Sequence, residues 1–306
     1  MKYRTLGSTG IEASVIALGT HQFSGEWGID YSDADVAGIL RRAGELGINL
    51  IDTAECYGDH SVETMIGKAI HSDRDRWTIA TKFGHVSQGN FKKTDAWGAD
   101  DVRQQLEASL RAFDTDHIDL YQFHSGGNTE FFNDDLWTML QNQVEAGKIR
   151  HLGISFSGEL TLRHDLSQIE AIGGIAGIGA VQVVYNRLSR EAEKKLLPYC
   201  AEHRIGVLAR IPLSRGLLSG RYAPSSTFKE GDIRAGAPAG FNEERLHRVA
   251  EIKRDEVPKG MDMAQWALAW CLGNPMIASV IVGSKNIAQL EANAAAGDIE
   301  VQREIL

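Results

Sequence analysis

The chain has 306 residues, 43% of them hydrophobic and 24% charged, and a net charge of −9. This composition is ordinary for a globular protein and supplies enough apolar side chain for a large core. The acidic balance, with Lys and Arg scattered, excludes an extended surface for nucleic acid or anionic membrane.

The chain opens with two short extended stretches, Tyr3–Leu6 and Ile11–Ser14, on either side of Gly7-Ser8-Thr9-Gly10. That spacing predicts a β-hairpin. Behind Met1-Lys2-Tyr3-Arg4-Thr5 there is no apolar stretch, so no signal peptide is expected. Short apolar runs then alternate with longer helical-period segments. The runs are Val15–Gly19, Ile48–Ala54, Trp77–Phe83, Ile118–His124, Ile149–Ser155, Ala180–Tyr185, Gly206–Ile211 and Ser279–Gly283. They are nearly continuous and rich in β-branched residues, as parallel strands buried on both faces should be. Between them, Val36, Ile39, Leu40 and Ala43 stand at i, i+3, i+4 and i+7, as do Val62, Met65, Ile66 and Ala69. Ser32 is the expected N-cap of the first helix. Pro198 is expected to kink or shorten the sixth helical segment.

Eight strands alternating with helices fit a closed barrel or a doubly wound sheet. A doubly wound dinucleotide fold should show G-x-G-x-x-G directly after a strand. The cluster Gly173-Gly174-Ile175-Ala176-Gly177-Ile178-Gly179 precedes a strand and lacks that spacing. The fold expected is therefore α/β, a (β/α)8 TIM barrel with an N-terminal β-hairpin. No linker or composition shift divides the chain, so residues 1–306 are expected to form one domain. The long Gly-, Pro- and Ser-rich stretch Pro212–Phe241 is expected to act as a lid.

In such a barrel the active site lies at the C-terminal strand ends. The second run ends in Asp52, with Tyr57 in the loop beyond; the third carries Lys82 near its end and the fourth ends in His124. Adding hydride to a carbonyl requires a proton on the oxygen. Tyr57 can supply it, provided a nearby ammonium lowers its pKa. Asp52 would keep Lys82 charged and oriented, and His124 would direct the carbonyl and support the developing alkoxide. No side chain supplies hydride, so a cofactor is required.

Asp52-Thr53-Ala54-x-x-Tyr57-Gly58, Lys82 in Ile79-Ala80-Thr81-Lys82, and His124 in Asp119-Leu120-Tyr121-Gln122-Phe123-His124 resemble the catalytic tetrad of the aldo-keto reductase superfamily. Leu6-Gly7-Ser8-Thr9-Gly10 and Leu18-Gly19-Thr20 resemble that family's first hairpin and first strand. The resemblance implies an NADP(H)-dependent reductase of aldehydes or ketones, with the cofactor extended across the barrel mouth. It implies cofactor contacts from Gly19, Thr20, Asp52, Ser155 and Gln182. It also implies a pyrophosphate strap containing Arg210, Pro212, Leu213, Ser214, Gly216, Leu218 and Arg221. An adenosine 2′-phosphate site would be built from Gly283, Ser284, Lys285, Gln289 and Asn293.

Three positions depart from the family pattern. Phe156 stands where many relatives have Asn. Arg210 replaces a common Tyr that stacks on nicotinamide, and the positive charge lies at Lys285 rather than at Gly283. His21, Glu26, Trp27, Tyr57, Trp97 and the loop Ser125–Asn133 are the candidates for the substrate pocket, with Ser125-Gly126-Gly127-Asn128 leaving it room.

Cys56, Cys200 and Cys271 fit no zinc spacing, and no H-E-x-x-H occurs, so no metal is expected. Reduced thiols and the lack of an apolar run of about 18 residues point to a cytoplasmic protein with no membrane span. The expected partner is a small carbonyl substrate; an oligomer is left open. One alternative is a cofactor-binding regulatory subunit that turns over slowly. Another is a lyase or isomerase using Lys82 as a Schiff base.

Overall fold

A computed structural model describes residues 1–89, 91–157, 167–229, 232, 234–238 and 240–301. It begins with the antiparallel pair β1 (Tyr3–Thr5) and β2 (Glu12–Ser14). Beyond them lie β3 (Ile16–Gly19), β4 (Leu50–Asp52) and β5 (Thr78–Phe83). A second antiparallel hairpin follows, β6 (His85–Gly89) and β7 (Lys92–Asp95). The remaining strands are β8 (Ile118–His124), β9 (Ile149–Ser155), β10 (Ile178–Val184), β11 (Gly206–Arg210) and β12 (Ile277–Gly283).

Strands β3, β4, β5, β8, β9, β10, β11 and β12 form a closed barrel in that order, every neighbouring pair parallel. All eight predicted strands are present, with shifts of a few residues at their ends. The second hairpin was not foreseen. Its strand Lys92–Asp95 is exposed throughout, so it carries no apolar alternation to announce it.

Helices cover the barrel. The first, Asp33–Glu45, buries Val36, Ile39, Leu40 and Ala43 as predicted. Burying Val36, Ile39 and Leu40 stabilises the fold by roughly 1.5–3 kcal/mol each. Ser32 caps it: the Asp35 amide donates to Ser32 Oγ at 3.2 Å, and the Ser32 amide donates to Asp35 Oδ2 at 3.0 Å. In the second helix, Ser61–Ile70, Val62 and Ile66 are buried. The sixth predicted segment differs from expectation. Its helix runs Leu196–His203, so Pro198 sits in the first turn. A missing amide proton costs nothing there, because first-turn amides lack helical acceptors in any case. Pro198 thus helps begin the helix rather than end it.

Leu6, Ala13, Ala17, Leu50, Ala80, Leu120, Ala180, Leu208, Ala278 and Ile281 form an inner core. Leu6 and Ala13 come from the N-terminal hairpin and close the end of the barrel where the strands begin. Gly206, the first residue of β11, has no side chain, and a Cβ there would collide with Leu6. With that end plugged, the other end is left for a site.

Candidate active site

Each barrel strand delivers a polar or small residue to the open end. These are Gly19 from β3, Asp52 from β4, Lys82 from β5, His124 from β8, Ser155 from β9, Gln182 from β10, Arg210 from β11 and Gly283 from β12. All of them line one cavity of about 820 Å³.

Lys82 and Asp52 form a buried ion pair, with Nζ 2.9 Å from Asp52 Oδ1 and 3.0 Å from Oδ2. The third ammonium proton goes to the Thr53 carbonyl at 2.5 Å. Gln182 Nε2 donates to Asp52 Oδ2 at 2.5 Å, and Ser155 Oγ donates to Gln182 Oε1 at 3.5 Å. Predicted residues from four strands therefore share one hydrogen-bonded network. With all its donors committed, Lys82 has no free amine for a Schiff base.

Tyr57 reaches the cavity from the loop after β4. Its ring stacks on His21 at a centroid distance of 4.3 Å. The Lys82 ammonium lies 5.4 Å from the Tyr57 ring centroid. Among the described residues, the Tyr57 hydroxyl makes no hydrogen bond. Its pKa lies well above the usual value, through burial first and then the charge of Asp52. This corrects the expectation of a lowered pKa. The Lys82 charge is neutralised by Asp52, so burial prevails. The phenol is a proton donor near neutrality, not a phenolate.

His124 is also held neutral. Burial, followed by the charges of Lys82 and Lys93, lowers its pKa well below the ordinary value. Cys56 Sγ lies 3.8 Å from His124 Nδ1, and Glu55 Oε2 lies 4.0 Å from the same atom. Burial raises the Cys56 thiol and lifts the Glu55 carboxyl to about 8. These groups are therefore protonated near neutrality. A thiol proton facing Nδ1 favours the tautomer with its proton on Nε2, the nitrogen that a carbonyl oxygen would meet.

The strap after β11 contains Pro212, Leu213, Arg215, Gly216, Ser219 and Arg221 on the cavity wall. It turns sharply, with Ile211, Ser214 and Arg215 at φ of 56°, 49° and 55°. Left-handed backbone at a β-branched residue is strained and clusters at functional sites. Beyond β12, Lys285, Gln289 and Asn293 reach the same cavity. Asn286 caps the helix Ile287–Ala295 through its side chain.

A model of the Aldo/keto reductase family matches residues 15–305. The chain belongs to the aldo/keto reductase family. It is therefore an oxidoreductase of carbonyl substrates, in a family served by a nicotinamide cofactor. It is 32% identical to the uncharacterized oxidoreductase YrpG of Bacillus subtilis (strain 168), over 100% of this chain and 94% of that protein. It is 33% identical to the aldo-keto reductase YhdN of the same organism, over 95% of this chain and 87% of that protein. The holo form of aldo-keto reductase AKR11C1 from Bacillus halodurans has a TM-score of 0.81 and 26% identity, covering 99% of this chain and 93% of that one. The glycerol dehydrogenase AKR11B4 from Gluconobacter oxydans has a TM-score of 0.84 and 27% identity, covering 98% and 91%.

Several features set this aldo-keto reductase apart from the sequence expectation. The side chains of Ser214, Leu218 and Ser284 do not line the cavity. Ser214 Oγ and Ser284 Oγ accept from Arg245 and Asn293 at 3.1 and 3.0 Å, and Leu218 is buried in the core. Trp97 packs on Phe83, His85 and Phe123 rather than facing substrate. Of the loop Ser125–Asn133, only Ser125 lines the cavity. Gly126 leaves room for Phe123 and Trp97, which a Cβ would strike, and not for substrate. Arg210 donates to the carbonyls of Phe156 and Ser157 at 2.7 and 2.8 Å. The path beyond Ser157, and residues 230, 231, 233 and 239 of the expected lid, lie outside the described residues.

Gln22, Cys56, Phe91, Lys93, Arg215 and Arg234 also line the cavity, though the sequence did not single them out. Gln22 follows β3 closely, so the strand-end rule could have found it. Its amide occupies the space that a side chain at position 283 would need, which accounts for Gly283. Lys93 and Phe91 come from the unforeseen hairpin and carried no signal.

Proposed function

We propose that the protein is an NADP(H)-dependent reductase converting an aldehyde or ketone to an alcohol, with Tyr57 as general acid. One observation carries this reading: a Tyr57 hydroxyl with no hydrogen-bond partner among the described residues faces the cavity beside the Lys82–Asp52 pair and His124. The nicotinamide cofactor supplies hydride when bound.

The cavity residues suit such a group. Ser155 and Gln182 offer amide-binding groups near the tetrad. Arg215, Arg221 and Lys285 bring positive charge to the strap and the β12 end, where phosphates would be held. Two buried polar atoms on the wall, Arg210 Nε and Ser219 Oγ, lack a hydrogen-bond partner among the described residues. Lys285 is the residue we assign to a 2′-phosphate, hence NADP(H) over NAD(H). Its backbone is fixed from two sides: its amide donates to Gln289 Oε1 at 3.0 Å, and its carbonyl accepts from Tyr31 Oη at 3.0 Å.

In this reading Tyr57 delivers its proton to the carbonyl oxygen as negative charge develops there. Lys82 and Asp52 assist as a paired, rigid floor beside the phenol, with Asp52 holding Lys82 in place. His124 donates from Nε2 to the same oxygen and fixes its approach. Residues 1–306 act as one barrel domain. Among the described residues, Cys56, Cys200 and Cys271 form no disulfide, and no helix is long and apolar enough to cross a membrane. Oxidation of NADPH that depends on added aldehyde, and is lost in Tyr57→Phe, tests the assignment.

A further inference from the structure

The hairpin β6–β7 is docked over the catalytic end of the barrel. The Phe91 amide donates to Glu26 Oε1 at 2.6 Å, and the Phe91 ring packs edge-on against His21 and Trp27 at 5.7 and 5.6 Å. His21 in turn stacks on Tyr57. These rings form the substrate-side wall next to the general acid. Lys93, two residues past Phe91, lines the same cavity. It is close enough for its charge to be felt at His21, Cys56, His85 and His124.

Among the described residues, Lys93 has no ion pair and no hydrogen bond. The neighbouring acids are committed elsewhere or uncharged. Asp95 pairs with His85 at 3.1 Å, Glu26 accepts from His21 and from the Phe91 amide, and Glu55 is protonated below about 8. Lys93 thus brings a cation with no salt bridge among the described residues to the cavity, beside the wall formed by His21, Trp27 and Phe91. An ammonium at the cavity rim that makes no salt bridge can pair with an anionic group on a ligand.

We propose that Lys93 forms an anion site that selects carbonyl substrates carrying a carboxylate or phosphate group. The proposal rests on the reductase reading above and names the substrate class for it. Lys93 is a specificity residue here, because it touches the substrate's charged end and not the reacting carbon.

The test compares matched aldehydes with NADPH on the wild-type protein and on Lys93→Met, Lys93→Glu and Lys93→Arg. Succinic semialdehyde against butanal reads the carboxylate; glyceraldehyde 3-phosphate against glyceraldehyde reads the phosphate. In the wild type, kcat/KM should favour the charged member of at least one pair, and which pair identifies the anion. That anionic-to-neutral ratio should fall about tenfold in Lys93→Met, the size expected for one lost charge-assisted hydrogen bond. It should fall further in Lys93→Glu and be largely restored in Lys93→Arg. A wild-type preference for both neutral members, or a ratio that Lys93→Met leaves unchanged, overturns the proposal. Reduction of butanal and glyceraldehyde alone would uphold the reductase while sinking the anion site. Without turnover of any aldehyde the reductase reading fails. Quenching of tryptophan fluorescence by succinic semialdehyde or glyceraldehyde 3-phosphate then decides the anion site. Weaker binding in Lys93→Met supports it, and equal binding overturns it.

Discussion

Lys82 Nζ sits 2.9 Å from Asp52 Oδ1, and the pair is buried at the floor of the cavity. Lys82 donates its remaining proton to the Thr53 carbonyl, so nothing of the ammonium is directed at the Tyr57 hydroxyl. The pair therefore works as a neutral, rigid platform, and the acidity of Tyr57 is set mainly by its burial. Asp52→Ala would leave a buried ammonium without its counter-charge and free Gln182 Nε2 as well. The expected loss is about 3–5 kcal/mol, typical of removing one partner of a buried pair. Urea unfolding reads it directly; a loss under about 1 kcal/mol would place the pair in the exposed class.

Tyr57→Phe removes one hydroxyl and keeps the ring that stacks on His21. NADPH affinity should persist, while turnover drops at least about a hundredfold, the usual contribution of a general acid. Steady-state rates and a cofactor titration on the same sample separate these effects. Turnover near the wild-type level would mean that the proton comes from elsewhere.

Lys285→Ala should weaken NADPH about tenfold or more and leave NADH nearly unchanged, as loss of one charge-assisted phosphate contact requires. Paired titrations with the two cofactors check this. Equal weakening of both would move the 2′-phosphate away from the β12 end.

Glu55 makes stability depend on pH. Its carboxyl is raised from 4.5 to about 8 in the folded protein. Between those values the folded state holds a proton that the unfolded chain has lost, so stability falls as pH rises through the window. The limiting slope is roughly 1.4 kcal/mol per pH unit. Below the window the penalty is absent, and above it the penalty is constant. Glu55→Gln keeps an acceptor for the His85 amide and should flatten that slope in unfolding experiments. An unaltered slope would mean that Glu55 is ionised in the folded protein at neutral pH.

Much of the fold was legible because parallel barrel strands are buried on both faces. Ile118–His124 and Ile149–Ser155 were placed to the residue, and the tetrad followed from asking what ends each strand. The hairpin β6–β7 was not legible. Lys92–Asp95 is polar throughout and held in place by Phe91 and Glu26, a contact between residues 65 apart in the chain. Side-chain direction was also hidden. Ser214 and Ser284 lie in the expected segments but turn inward to Arg245 and Asn293. The sign of the Tyr57 shift depends on how fully Asp52 neutralises Lys82, which spacing along the chain does not encode.

Titrating NADPH into the purified protein while following tryptophan fluorescence, and then adding aldehydes, tests the reductase assignment in one sample. Trp27 lines the cavity and serves as the reporter. An NADP(H)-dependent reductase gives saturable quenching followed by NADPH oxidation that depends on aldehyde. Binding without oxidation across a broad aldehyde panel would mean a cofactor-binding regulator instead of a reductase, and the absence of binding would exclude both.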